Sequence, residues 1–206
     1  MKGPSPWISW KLRPAAEGDT VVGVYGGHPR GIRNHDWPRC AVCGQPMCHM
    51  AQIDAGPWLD LGTWSRMTLF ICHATGGRCE DWDPRKGANR ILLQRYRDEN
   101  KYDGPPTVRV YRRLSLAATS VDERQYAGRP TRENVELLRY DKLGGGAVWL
   151  HGDDTPQGST GAPMRMLLQI TTNIVAFDIT PSGMAYVFID GADPSDQAAK
   201  LLWQGS

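Results

Sequence analysis

Cys40 and Cys43 are separated by two residues and followed at once by Gly44, and Cys72 and Cys79 lie further along the chain. A C-x-x-C pair on a tight turn can aim both sulfurs at one ion. Glycine after the second cysteine lets the backbone turn left-handed without a Cβ penalty. Cys72 and Cys79 complete a possible four-thiolate set, and a structural Zn²⁺ takes four tetrahedral Cys or His ligands. The second pair is spaced more loosely, so His73 could stand in for Cys72 or Cys79. Cys48 and His49 are spare candidates. Disulfide pairing is the alternative, but five cysteines is an odd number and no secretory signal precedes them. Four thiolates leave no open position for water or substrate, so the expected role of one zinc is structural.

Other reactive groupings are sparse. The chain carries no G-x-S-x-G, H-E-x-x-H, P-loop or G-x-G-x-x-G pattern. Gly158-Ser159-Thr160-Gly161 reads as a turn. His28 and His35 precede Cys40, so a Cys/His dyad can be drawn, but paired spacing makes metal ligation the better use of Cys40. A hydrolase or transferase would need a convergent set from His28, His35, His151, Asp153 and Asp154. Glu80, Asp81 and Asp83 form an acidic knot beside Cys79. It reads either as a solvated loop or as a surface for a basic partner. Trp58 and Trp64 flank a loop, and Trp37 and Trp82 lie near the cysteines. Tryptophan serves equally as core cover and as an interface anchor. Nucleic-acid binding would draw on Arg30, Arg33 and Arg39 before the turn and Arg85, Lys86 and Arg90 after it. A net charge of +2, from 24 basic and 22 acidic residues, argues against it.

These residues need a turn-rich, strand-rich frame. The chain has 206 residues, 40% apolar, with 23 Gly, 15 Pro and 8 Trp against 3 Phe. No apolar run is long enough to cross a bilayer, and free thiols without an export signal point to the cytoplasm. Residues 1–19 read as an irregular arm broken by Pro4, Pro6 and Pro14. Strands are expected over Thr20–Tyr25, Met50–Ile53, Arg66–Cys72, Arg90–Tyr96 and Thr107–Leu116. Gly104-Pro105-Pro106 marks a linker. Ser120 opens a capping-box pattern, and Thr131 could cap a helix carrying Val135, Leu137 and Leu138.

The second half echoes the first. Gly161-Ala162-Pro163-Met164 through Gln169-Ile170 matches Gly44-Gln45-Pro46-Met47 through Gln52-Ile53. Gly144 falls against Gly27, Phe188-Ile189 against Phe70-Ile71, and Lys200–Gln204 against Arg90–Gln94. Cys40, Cys43 and Cys72 correspond to Gln157, Thr160 and Asp190, so the second copy cannot bind zinc and must rely on packing. The expected fold is α+β and mostly β: two tandem, structurally similar β-rich repeats, the first carrying the zinc site. A first repeat spans 20–96, a connecting segment with short helices 97–139 and a cysteine-free second repeat 140–206, together forming one compact domain.

The pattern C-x-x-C-G-x-P-M, then a short strand ending in Gln, then a strand ending in Cys, resembles the YwqG-like family of bacterial proteins. Lys142-Leu143-Gly144-Gly145, Trp149-Leu150, Leu167–Ile170 and Tyr186–Ile189 resemble that family's C-terminal half. The cysteine half is also similar to the programmed cell death protein 2 family, dedicated chaperones of a ribosomal protein. His151-Gly152-Asp153-Asp154 departs from the family pattern, which has Gln after Trp-Leu. The resemblance implies a duplicated β architecture with zinc on Cys40, Cys43, Cys72 and Cys79. It also implies a place among toxin loci, where small cytoplasmic proteins serve as immunity partners. The expected function is therefore non-enzymatic: a zinc-stabilised protein that binds and neutralises a cognate bacterial toxin. Loops at Trp58, Trp64, Glu80, Asp81 and Asp83 would cover the partner's active surface. The alternatives are a chaperone or assembly factor for a basic, ribosomal-type protein, and a hydrolase or transferase with a site between the repeats.

Overall fold

The computed structural model describes residues 7–74, 76, 78–95, 98–100, 104–126, 138–175, 177 and 182–205. Ten strands join in one antiparallel sheet. They are β1 (Ile8–Pro14), β2 (Gly23–Tyr25), β3 (Cys48–Asp54), β4 (Arg66–Ile71) and β5 (Asn89–Gln94), followed by β6 (Leu114–Asp122), β7 (Lys142–Gly144), β8 (Arg165–Ile170), β9 (Met184–Ile189) and β10 (Ala199–Gln204). Strand accounts for 38% of the structure and helix for 4%. The described helices are two short 3-10 turns, Asn34–Asp36 and Glu123–Tyr126. The helix expected from Thr131 lies outside the described residues.

The sheet order is β10-β9-β8-β7-β1-β6-β2-β3-β4-β5. Adding five to each strand of the first half, and subtracting five in the second, returns the same order read from the other edge. β1 pairs with β6 and β7, and β6 with β1 and β2, so each half takes its neighbour from the other. The sheet curls into a near-barrel that brings edge strands β5 and β10 together. Asn89 Nδ2 donates to the Leu201 carbonyl at 3.3 Å, and Arg90 Nη1 to Gln197 Oε1 at 3.3 Å. Side chains, not a backbone ladder, close this seam.

The interior holds the main core. It is built from β-branched and γ-branched aliphatics of both halves, among them Ile53, Leu69, Ile91, Leu116, Leu143, Leu168, Val187 and Leu201. β4 and β9 are buried along their whole length. Their unbroken apolar runs, bar Thr68 and Arg66, reflect burial on both faces. Two satellite clusters sit apart from it. One gathers Trp37, Met47 and Phe70 around Cys40, Cys72 and Cys79; the other gathers Met164, Tyr186 and Phe188 with Trp149.

Two expectations need correcting. The N-terminal stretch is not an irregular arm, because Ile8–Pro14 forms β1 in the middle of the sheet. Ile8 and Leu12 share the face of Trp10 that packs on the interior, and Pro14 is tolerated as the last residue of the strand. The strand expected over Thr107–Leu116 instead runs over Leu114–Asp122. Pro105 and Pro106 open a turn, with Val108 N donating to the Pro105 carbonyl at 2.9 Å. The pairing with β1 then selects the later residues. No helix among the described residues is long and apolar enough to cross a membrane.

Candidate metal centre

The turn before β3 is set by its backbone. Cys40 N donates to the Gln45 carbonyl at 2.9 Å, Gly44 N to the Cys40 carbonyl at 2.8 Å, and Met47 N to the Pro38 carbonyl at 2.9 Å. Gly44 takes φ +70, the left-handed conformation that favours glycine. β4 ends at Ile71 and carries Cys72 to the same place; Cys72 N donates to the Ala88 carbonyl at 2.8 Å. Cys79 arrives from the following loop, where Glu80 turns the chain at φ +53.

The Sγ atoms of Cys40, Cys43, Cys72 and Cys79 all lie within 4.8 Å of one another. Cys43 and Cys72 are 3.6 Å apart at sulfur, and none of the cysteines is in a disulfide. A tetrahedral ion with metal–sulfur bonds of about 2.3 Å would place its sulfurs roughly 3.8 Å apart, so the set fits a single ion. Cys40, Cys72 and Cys79 are buried and Cys43 is partly exposed. Burial pushes the Cys72 thiol well above its ordinary value, with the Ala74 N–H opposing, while the Gln45 N–H holds Cys43 below its own. Thiolates packed this closely would repel one another, and a divalent cation among them would offset that repulsion.

The spare ligand candidates are placed elsewhere. Cys48 begins β3 and stands outside the sulfur cluster. His49 Nδ1 bonds the Gly27 carbonyl at 2.9 Å. His73 Nδ1 bonds the Tyr111 hydroxyl, and its Nε2 lies 4.0 Å from Asp81 Oδ2.

The acidic knot differs from expectation. Asp81 and Asp83 are only 4% and 3% exposed. Burial pushes the Asp81 carboxyl up to about 6. Asp83 takes a two-point contact from Arg85, at 3.0 Å each. Glu80 is half-exposed and pairs with Lys86 at 2.9 Å. Asp83 and Glu80 pin the loop, and Asp81 is buried with its Oδ1 unpartnered, so the three do not form an acidic face. Sequence reasoning assumed that charged residues sit in solvent; the self-pairing of Asp83 with Arg85 two residues on was the available signal.

The tryptophans divide. Trp82 is 44% exposed. Trp58 and Trp64 are half-buried against the interior core, Trp58 pinned by Nε1 donating to the Asp54 carbonyl at 2.8 Å and Trp64 covered by the Arg95 guanidinium at 4.3 Å. Among the described residues no hydrogen bond joins any two of His28, His35, His151, Asp153 and Asp154. His35 faces Asp36, His151 bonds the Gly205 carbonyl, and Asp154 bonds Gln204.

A similar turn precedes β8. Gly158 N donates to the Ala162 carbonyl at 2.8 Å and Met164 N to the Pro156 carbonyl at 2.8 Å, and Gly161 takes φ +79. Here Asp190 follows β9 as Cys72 follows β4. Its carboxylate accepts from Ser159 N at 2.5 Å and Ala192 N at 2.9 Å. A carboxylate bonded to amides ties this turn down, so it does not rely on packing alone. The register sets Gly158, rather than Gln157, against Cys40, and the pair Gly144-Gly145 against Gly26-Gly27. No protein-family model and no curated protein matches this chain.

Proposed function

We propose that this chain is a non-enzymatic, zinc-stabilised protein of the cytoplasm that binds one protein partner, a bacterial toxin domain, and neutralises it by covering its active surface. The observation that carries the reading is the closed cluster of four cysteine sulfurs within 4.8 Å. Zn²⁺ suits an all-thiolate tetrahedron, and such a site leaves no position for a substrate. Its work is to fix the loop that follows β4, which presents Trp82 to solvent. Trp82, with the loop of Trp58 and Trp64, supplies rigid aromatic anchors of the kind that dominate interfaces. The toxin assignment rests on the YwqG-like resemblance.

The architecture fits an internal duplication whose first strands have changed places. The strand order reads alike from both edges. β3 and β8 each carry a bulge at one place, after His49 and after Met166. A chaperone of a basic protein would need an acidic face at 80–83, and burial of Asp81 and Asp83 leaves only Glu80 there, paired with Lys86.

The test is co-expression with any toxin domain found encoded beside this gene. Growth should be restored by the wild-type chain and lost with Trp82→Ala at unchanged protein level. Failure of the wild-type chain to protect against any neighbouring toxin, with no stoichiometric partner recovered from the native host, overturns the reading.

A further inference from the structure

At one open end of the near-barrel the interior core runs out into a groove of about 330 Å³, lined by Ile8, Trp10, Trp58, Leu59, Arg165 and Met166, with the backbone of Gly144 and Gly145 alongside. Its walls are preformed. Ile8 and Trp10 lie on the face of β1 that carries Leu12 into the core. The 56–59 segment closes on itself through Gly56 N to the Leu59 carbonyl at 3.1 Å and Leu59 N to the Gly56 carbonyl at 3.0 Å. Trp58 is held by its bond to the Asp54 carbonyl.

One cation enters this apolar space. Arg165 Nη2 donates to the Asp60 carbonyl at 2.8 Å, and among the described residues Arg165 makes no ion pair. A guanidinium has five N–H donors in a planar fork that matches a carboxylate. Burial pulls the Arg165 pKa down, against the weaker pull of Asp60, which is the signature of a cation short of a counter-charge. Asp60 stands at the rim, with Oδ1 taken by Gly62 N at 2.8 Å. A second negative charge on a ligand would meet it.

We propose that this groove binds a small apolar monocarboxylate, its ring or branched chain between Ile8, Trp10 and Trp58 and its carboxylate on the Arg165 fork. Small-ligand sites combine an apolar lining with a few fixed polar groups, often at barrel mouths, and this volume is at the low end of their range. That matches a single ring on a short acid arm. The site uses none of the cysteine ligands and does not depend on the metal or on the toxin reading.

The probe is 3-phenylpropanoate, with 3-phenylpropanamide as its uncharged counterpart, titrated against the full chain and followed by Trp indole N–H signals in NMR spectra. The carboxylate should bind saturably, shift Trp10 and Trp58, and bind about tenfold or more tighter than the amide, the scale of a charge-assisted hydrogen bond. Arg165→Met should bring acid and amide to equal affinity. Arg165→Lys, which keeps the charge and loses the fork, should weaken acid binding if the Met variant does not fold. Equal affinity for acid and amide in the wild type, or non-saturating shifts spread over the loops, overturns the proposal.

Discussion

Replacing His49 by methionine should make the protein less sensitive to acid. His49 is 3% exposed and edge-on to Phe70 at 5.6 Å between ring centroids. Its Nδ1–H donates to the Gly27 carbonyl, and its buried Nε2 has no partner. Burial therefore holds its pKa down to about 4 from the usual 6.5, with the charges of Arg113 and His28 pushing the same way. A histidine whose folded pKa is depressed contributes stability in full above its unfolded pKa. That stability is lost as pH falls from about 6.5 to about 4, and then levels off. The gap is worth about 3 kcal/mol at roughly 1.4 kcal/mol per pK unit. Methionine is the substitution of choice because Met166 holds the matching place, paired with Phe188 as His49 is with Phe70. Denaturant unfolding of both proteins at steps from about pH 7.5 to about pH 4 gives the comparison. The buried Asp81 and Asp141 also titrate in acid, each pushed up to about 6, so the informative quantity is the difference between the two proteins. His49→Met should lie within about 1 kcal/mol of wild type near neutrality, the scale of one hydrogen bond. It should gain on wild type by up to about 3 kcal/mol at the acid end. Parallel pH profiles, or a measured His49 pKa near 6.5, would refute the reasoning.

Two further outcomes follow from burial. Cys40→Ser should lose the metal and several kcal/mol of stability, since a structural zinc can contribute on the order of 10 kcal/mol, whereas Cys48→Ser, outside the cluster, should keep the metal; paired metal analysis and urea melts distinguish them. Lys142 is fully buried and its Nζ meets Glu123 Oε1 at 2.6 Å. Lys142→Met alone should cost about 3–5 kcal/mol by stranding the Glu123 carboxylate, and adding Glu123→Gln should recover most of it in denaturant melts.

The cysteine cluster was legible because its members declare themselves locally, through C-x-x-C-Gly and a cysteine at the end of an apolar strand. Strands β3, β4 and β5 were legible because each carries a run of apolar residues that fits burial, and β8, β9 and β10 through their likeness to those three. β1 was hidden by Lys11, Arg13 and the prolines around it. Its place between β6 and β7 depends on pairings far apart in sequence that no local pattern encodes. β6 was shifted because Val108 and Val110 alternate as a strand would, yet Val110 is 47% exposed and lies before the strand begins. The inward carboxylate Asp81, the buried Lys142 and the tie from Asp190 to Ser159 were illegible, since a charged side chain looks solvated until its surroundings are known.

The most direct test is metal analysis of the purified chain combined with X-ray absorption at the zinc edge. One zinc per chain with four sulfur neighbours at about 2.3 Å is the expected result. A metal-free chain that folds with undiminished stability, or a bound ion with nitrogen or oxygen in place of any of the four sulfurs, would contradict it.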